Sequence, residues 1–319
     1  MSSSEAGASA PAIELRGLTK RFGDTLALDG VDLVVRPGVV FGFLGRNGAG
    51  KTTAIRILSG LARPTAGTAH VLGHDVTHAS DVVRSRIGFL PDVPGFYPWM
   101  TAREYLAFAG KLFGIDAATV DDRATALLEM AGLASVDTRI GGFSRGMKQR
   151  LGIAQALINA PSLLMLDEPT SALDPIGRRE VLEMVASLRG RTTVFFSTHI
   201  LADVERVCDA VAILERGRVV ASAGVAELTD RATANRLVVE VEDDGAASTV
   251  ARSLAGRAWL KSIETAGRSV RVAVSDLAAA QREIPAAIGE AGVALRRFEI
   301  EEASLEDVFV ELVGGQEAR

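Results

Sequence analysis

The spacing of hydrophobic positions divides the chain into two regions. In the first region, short unbroken apolar runs alternate with stretches in which apolar residues recur every three or four positions. The unbroken runs are typical of strands buried on both faces of a parallel sheet, and they lie at Val39–Gly45, Leu163–Asp167 and Thr193–Ser197. The stretches with helical periodicity predict helices at Arg103–Gly114, Asp121–Gly132, Lys148–Asn159 and Gly177–Arg189. Together they indicate an α/β fold.

The second region has a different period. Leu237–Glu242 and Ser269–Ser275 alternate apolar and polar residues, which predicts half-buried strands. Two helical patterns and two further strand candidates complete the set, at Ala246–Leu254, Asp276–Glu290, Trp259–Thr265 and Val293–Ile300. The order β-α-β-β-α-β is that of a ferredoxin-like unit. A terminal helix is predicted at Ser304–Leu312.

Length and charge support the same division. The 319 residues suit two domains. Residues 1–224 carry a net charge of +1 and residues 225–319 a net charge of −6. We therefore predict a disordered tail at residues 1–12, a first domain at residues 13–224 and a small α+β accessory domain at residues 225–319.

Composition excludes several classes of protein. The hydrophobic fraction of 48% and the charged fraction of 24% are ordinary for a globular protein and exclude a disordered chain. The net charge of −5 gives no reason to expect a nucleic-acid partner. One cysteine, Cys208, excludes an internal disulfide, and no apolar stretch is long enough to span a membrane. Since the polar N-terminus does not resemble a secretion signal, we expect a cytoplasmic protein.

A glycine-rich segment after the first apolar run fits the pattern G-x-x-x-x-G-K-[ST]. Its glycines allow successive backbone N–H groups to point at phosphate oxygens, and the following helix adds about half a positive charge at its N-terminus. Lys51 is predicted to bridge the β- and γ-phosphates, and Thr52 to bind Mg²⁺. The predicted nucleotide-binding residues are Gly45, Arg46, Asn47, Gly48, Ala49, Gly50, Lys51, Thr52 and Thr53.

Two acids end the second apolar run. Asp167 stands at the carboxyl end of that strand and is predicted to reach Mg²⁺. Glu168 would then stand beside the γ-phosphate as the base that activates water. The chain has no N-K-x-D motif for reading guanine, so the predicted nucleotide is ATP rather than GTP.

A second helix start has the features of an anion site. Ser144 is a good N-cap, and Gly146 lets a bound anion approach the first turn closely. One ATP needs only one phosphate-binding loop, so the second helix start suggests a role on a partner subunit's nucleotide. The third apolar run leads into His199, whose imidazole is a candidate contact to the γ-phosphate.

These motifs, in this order, resemble the nucleotide-binding subunits of ABC transporters over residues 13–224. The order is the phosphate loop, the signature helix, the Walker B acids, a D-loop at Ser171–Asp174 and the switch histidine, His199. The resemblance implies a P-loop NTPase cassette with a RecA-like core and a helical signature subdomain. It also implies that Phe22 stacks on adenine. Asp92, where the family commonly has glutamine, would take the Q-loop role as a ligand of Mg²⁺ or its water, and Met147 replaces the glutamine that usually closes the signature.

Two segments are similar to the drug-resistance and antibiotic-export subgroup, namely Phe96–Glu104 and Ala303–Phe309. This resemblance implies an ATPase that powers export through a separate integral membrane permease, bound peripherally at the inner face of the cell membrane. Two copies, or one copy and a paralogue, would pair head to tail, with ATP on Lys51 and Thr52 of one copy covered by Ser144 and Gly146 of the other. Tyr97 and Trp99 either pack within the chain or contact the membrane partner.

Three alternatives remain open at this point. The first is an ABC importer ATPase, which usually carries an all-β tail. The second is an ABC ATPase that acts on nucleic acid or ribosomes without a permease, and such proteins usually have tandem cassettes or long coiled-coil insertions. The third is a regulatory or self-resistance protein whose ATP hydrolysis is vestigial, although the intact acidic pair argues against it.

Overall fold

The computed structural model describes residues 10–233, 236–300, 305, 306, 308 and 309. Most of the predicted N-terminal tail (residues 1–12) and most of the predicted terminal helix (Ser304–Leu312) therefore lie outside the described residues. The chain forms two compact units that divide between Val225 and Ala226.

In its described residues, the first unit contains ten strands and seven α-helices. The strands are β1 (Ile13–Phe22), β2 (Thr25–Val35), β3 (Val40–Leu44), β4 (Ala66–Val71), β5 (His74–Asp75), β6 (Ile87–Leu90), β7 (Leu163–Asp167), β8 (Thr193–Thr198), β9 (Ala210–Glu215) and β10 (Arg218–Gly224). The helices are α1 (Lys51–Leu58), α2 (Ser80–Arg86), α3 (Ala102–Leu112), α4 (Ala117–Met130), α5 (Arg145–Ala156), α6 (Pro175–Ser187) and α7 (Leu201–Val207), and α8 (Val225–Thr233) follows β10.

A six-stranded sheet with the order β10-β9-β3-β8-β7-β6 forms the centre of this unit. Five of the strands are parallel, and β10 pairs antiparallel with β9. Every residue of β3, β7 and β8 is buried, as their unbroken apolar sequences predict. Because the strands are parallel, the loops that follow β3, β7 and β8 meet at one edge of the sheet.

The predicted helices are confirmed, and their first residues are set by capping. Asp116 accepts a hydrogen bond from the amide of Thr119 and begins α4 earlier than its apolar period suggests. Asp174 caps α6 in the same way through the amide of Gly177, with Pro175 in the first turn. Helix starts therefore depend on polar residues that lie outside the apolar stripe.

A second, antiparallel sheet has the order β2-β1-β4-β5. The hydrophobic pattern did not predict β1 and β2. The pairing of β1 with β2 shifts register between Leu15 and Leu18 and again between Leu18 and Lys20. Such bulges interrupt the two-residue alternation by which a strand is recognised in sequence.

The second unit has the predicted order of elements: β11 (Arg236–Val241), α9 (Asp244–Leu254), β12 (Leu260–Ala266), β13 (Ser269–Val274), α10 (Leu277–Glu290) and β14 (Leu295–Ile300). Its sheet is antiparallel, with the order β12-β13-β11-β14. In the central strand Val239 pairs with Val270 on one side and Phe298 on the other. These side chains form one core with α9 and α10. The ferredoxin-like prediction is therefore confirmed for the described residues.

Candidate functional site

The glycine-rich loop between β3 and α1 is fixed by backbone contacts. The amide of Gly45 donates to the carbonyl of Thr198 at 3.2 Å, and the amide of Gly217 donates to the carbonyl of Ala49 at 3.0 Å. Gly50 has a φ of 110°, and a Cβ added there would lie 2.4 Å from the carbonyl oxygen of Ala27. Only glycine fits that position, so the loop has one well-defined shape at the N-terminus of α1.

Lys51 places a buried positive charge inside this loop. Its side chain is only 5% exposed, and its Nζ donates to the carbonyl of Gly45 at 2.6 Å. The same Nζ lies 3.0 Å from Oε1 of Glu168. The charge is therefore held between the phosphate loop and the acid that follows β7, where it can meet a phosphate.

Asp167 is tied to the loop and to β8. Its Oδ1 accepts a hydrogen bond of 2.6 Å from the Ser197 hydroxyl and lies 3.3 Å from the Thr52 hydroxyl oxygen, which donates to it. Asp167 is 2% exposed. A hydroxyl and a carboxylate oxygen are thus side by side at the start of α1, and oxygen ligands of this kind suit Mg²⁺.

Glu168 is held on both sides. Its Oε2 lies 2.9 Å from Nδ1 of His199, and its amide donates to the Ser197 carbonyl at 3.1 Å. Glu168 has a φ of 50°, which is uncommon outside glycine and marks a conformation fixed by its surroundings. The carboxylate is therefore oriented by a cation on one side and an imidazole on the other.

A cavity of about 410 Å³ is lined by Lys51, Glu168 and His199, among other residues. Its lining residues come from the start of β2, the glycine-rich loop, α1 and the segments after β6, β7 and β8. They are Thr25, Leu26, Ala27, Asn47, Gly48, Gly50, Lys51, Thr52, Thr53, Asp92, Glu168, Ser171 and His199.

The cavity brings together half of the residues predicted to bind ATP and Mg²⁺, and with them the predicted catalytic residues Glu168 and His199. Gly45, Arg46 and Ala49 belong to the same loop but lie outside the lining set. Asp167 contacts the cavity through Thr52. Asp92 is in the lining set, although it follows a separate strand, β6.

Phe22, Ser144 and Gly146 also lie outside the lining set. Phe22 is 54% exposed, Lys20 Nζ lies 4.7 Å from the centre of its ring, and it pairs across the hairpin with Thr25, a lining residue. Ser144 caps α5 by accepting from the amide of Met147 at 3.1 Å. The roles of these residues toward ATP stay predictions.

Ser197 was missed in the sequence analysis, although it contacts both acids. It lies near the end of an apolar strand and reads as an ordinary strand residue. A usable signal was present, because a hydroxyl residue in the fully buried run before His199 needs a polar partner. Thr25, Leu26 and Ala27 are further lining residues for which the sequence offered no comparable signal, whereas Ser171 is the first residue of the predicted D-loop.

The residues present fit a magnesium ion bound together with phosphates. In the described part of the chain, no group of three or more His, Cys, Asp or Glu side chains is arranged to hold a metal. Mg²⁺ does not require such a cage, since it is commonly bound by one or two protein oxygens, water and substrate phosphates. Thr52 and Asp167 have such oxygens side by side and would hold the ion, and Asp92 lies in the same cavity.

A phosphate loop, an adjacent strand that ends in two acids, and a facing histidine define a P-loop ATPase of the cassette type. Residues 28–171 match the ABC transporter family, and residues 224–313 match the DrrA1-3-like C-terminal domain of ATP-binding proteins. The chain belongs to the ATP-binding proteins of ABC transporters that carry this DrrA-like domain. It binds ATP, and its family hydrolyses ATP to power transport, working with membrane permeases.

Relatives are similar over nearly the whole chain. The bacitracin transport ATP-binding protein BcrA of Bacillus licheniformis is 37% identical over 308 residues, covering 95% of this chain and 97% of the relative. The daunorubicin resistance ATP-binding protein DrrA3 of Streptomyces coeruleorubidus is 38% identical over 307 residues, covering 95% and 96%. A solved ATP-binding cassette, a dimer in a post-hydrolysis state with ADP and Pi, is 26% identical with a TM-score of 0.60, covering 66% of this chain and 98% of that one. In the part of the chain that the structure describes, every helix is too short or too polar to cross a bilayer.

Proposed function

We propose that this protein is the ATPase subunit of an exporter for an antibiotic, a drug or another small molecule, and that it works at the cytoplasmic face of the cell membrane with a separate permease. The observation that carries the ATPase assignment is the cluster of Lys51, Asp167, Glu168 and His199 around one cavity. The observation that favours export is the DrrA-like C-terminal domain, shared with relatives named for bacitracin transport and daunorubicin resistance.

Within the cavity each side chain has a distinct proposed role. Lys51 binds the β- and γ-phosphates, which replace its present contact with Glu168. Thr52 and Asp167 would hold Mg²⁺, which when bound would supply positive charge against the phosphates. Freed from Lys51, Glu168 orients and deprotonates water, while His199 holds the carboxylate and faces the γ-phosphate.

The second helix start supports a shared site. Ser144 is exposed at the N-terminus of α5, outside the cavity that holds Lys51. We propose that two copies, or this chain and a paralogue, face each other head to tail, so that Ser144 and Gly146 of one cover the ATP of the other. The dimeric state of the solved cassette supports the pairing of two copies.

The surface after Asp92 is the proposed contact with the permease. Tyr97 packs against Trp99, Tyr105 and Phe108 with ring centroids 5.2 to 6.4 Å apart. Trp99 is nevertheless 58% exposed. Exposed aromatic side chains are common in protein–protein interfaces. This cluster is also close in sequence to Asp92, which lines the cavity, so a change at the cavity could be transmitted through it to the permease.

The test replaces Glu168 with Gln. ATP should still bind, while hydrolysis should fall by about 10²-fold to 10⁴-fold, because the general base is lost. A stable ATP-bound dimer should accumulate on size-exclusion chromatography. The matched control is Glu183→Gln, the same change at an exposed position of α6, which should hydrolyse ATP at the normal rate.

A second test measures how the ATPase rate depends on protein concentration. If the site is shared, the rate per molecule should rise with concentration and level off as dimers form. A strictly monomeric sample with a full, concentration-independent rate would contradict the shared site but not the roles of Lys51 and Glu168.

A further inference from the structure

A fully buried acid lies close in sequence to His199, one of the residues that line the cavity. Asp203, on α7, has a relative exposure of 0%. A buried carboxylate is strongly unfavourable unless hydrogen bonds and an opposite charge compensate it. Both are present, since the Thr170 hydroxyl donates to its Oδ2 at 2.6 Å and the Arg178 Nε donates to its Oδ1 at 2.5 Å.

These three residues, which we call the Asp203 network, connect three segments of the site. Thr170 lies between Glu168 and Ser171, and Ser171 lines the cavity. Arg178 is in the first turns of α6, directly after the D-loop. Asp203 is four residues beyond His199. The network therefore joins the segment that carries the base to the segment that carries the histidine.

The segment joined in this way has a strained backbone. Glu168 and Ala172 have φ values of 50° and 52°, in the left-handed region that favours glycine. Residues hold such conformations only where surrounding contacts fix them. The amide of Ser171 donates to the Glu168 carbonyl at 3.1 Å, and the Thr170 side chain anchors the same turn to Asp203.

We infer that Asp203 is a positioning residue for ATP hydrolysis: through Thr170 and Arg178 it sets the Glu168–Ser171 turn against His199. None of its three residues lines the cavity that holds Lys51 and Thr52. It therefore governs the geometry of the base and leaves ATP binding to the phosphate loop. This inference rests on the proposed role of Glu168.

The test compares Asp203→Asn and Thr170→Val with wild type in the full-length protein. Thr170→Val preserves shape, removes one hydroxyl and keeps the Asp203–Arg178 pair. Both variants should lower kcat by about tenfold to a hundredfold, because small misplacement of a catalytic group has effects of this size. The KM for ATP and the affinity by calorimetry should change by less than about threefold. The double variant should be no slower than Asp203→Asn, since the Thr170 hydroxyl acts on hydrolysis only through its contact with Asp203.

The control is Asp209→Asn, which breaks another ion pair in the same unit, with Arg189 at 3.0 Å. Asp209 also accepts from the amide of Val40, so its variant should lower Tm while kcat is retained. If Asp203→Asn does not fold, the kcat of Thr170→Val alone tests the inference. A wild-type kcat in Thr170→Val, or a kcat loss in Asp209→Asn at an equal loss of Tm, overturns the inference.

The result is separable from the proposed function. Glu168→Gln is measured in the same series. If that variant hydrolyses ATP normally, the assignment of the base fails whatever the Asp203 network does. If it is inactive while Thr170→Val has normal kcat, only the positioning role fails.

Discussion

Two helix starts in the first unit look alike in sequence but differ in structure. Helix α1 begins after Gly50, whose φ is 110°, and no described side chain caps it. Helix α5 begins after Ser144, whose hydroxyl accepts a hydrogen bond from the amide of Met147. The first helix start lies beside the buried Lys51 at a cavity, and the second is exposed. The first turn of α1 is thus open to a phosphate, while that of α5 is already stable by itself.

The difference shows what an anion site needs beyond a helix N-terminus. A helix start contributes partial charges of about half a unit, an effect that solvent screens. At α1 a buried lysine and a rigid glycine loop add to it. At α5 the further groups that an anion site needs must be supplied by another molecule. We therefore expect changes at α1 to affect ATP affinity and changes at α5 to affect turnover.

The largest expected effect on affinity is that of Lys51→Ala. The lysine supplies a charge-assisted contact of about 1.5–3 kcal/mol, so the Kd for ATP should rise by about tenfold to a hundredfold. Calorimetry of the purified protein measures the change. Lys111→Ala, at the end of α3, is the matched control and should bind ATP normally. An unchanged affinity for ATP in Lys51→Ala would contradict the conclusion that the N-terminus of α1, unlike that of α5, binds ATP in the monomer.

How far the sequence predicts this site depends on whether a residue acts within one segment or between segments. The phosphate loop follows from local pattern alone, because glycine spacing and one lysine define it. Ser197 and Asp203 depend on which strands and helices become neighbours, and no spacing along the chain encodes their contacts with Asp167 and Thr170. The buried strands were recognisable because continuous apolar runs have few alternatives. The hairpin of β1 and β2 was not, because its bulges break the alternation.

An intermediate effect is expected for Ser144→Gly. Glycine is nearly as good an N-cap as serine, so stability should fall by only about a few tenths of a kcal/mol. The proposed contact with the partner's nucleotide would be lost, and kcat should fall by about tenfold, the equivalent of one hydrogen bond. ATP affinity of the monomer should not change. The measurements are steady-state ATPase rates at saturating protein and calorimetry below the dimerisation range.

An outcome in which Ser144→Gly weakens ATP binding to the monomer would place α5 at the same nucleotide as α1. A normal turnover rate would mean that the hydroxyl serves only as a cap. Either result would contradict the proposed role of α5 on the partner's ATP. The difference in capping between α1 and α5 would remain.

The smallest effect is expected at a third helix start, which has a structural role alone. Thr101 and Glu104 form a capping box at α3, in which each side chain accepts from the other residue's amide. The Thr101 amide holds the pKa of Glu104 below its ordinary value of 4.5. A lowered pKa means that the ionised carboxylate stabilises the folded state above pH 4.5 and that this contribution disappears as the pH falls through the lowered value.

Glu104→Gln should therefore lower Tm slightly at pH 7, and the difference from wild type should vanish in acid. Thr101→Ala should lower the free energy of unfolding by about 1 kcal/mol, because the N-cap hydrogen bond is lost. Thermal melts between pH 7 and pH 3 measure both changes, and ATPase rates at 25 °C should match wild type. A turnover defect in Thr101→Ala as large as that of Ser144→Gly would show that loss of any cap in this unit slows hydrolysis. The exposure of α5 would then carry no functional meaning.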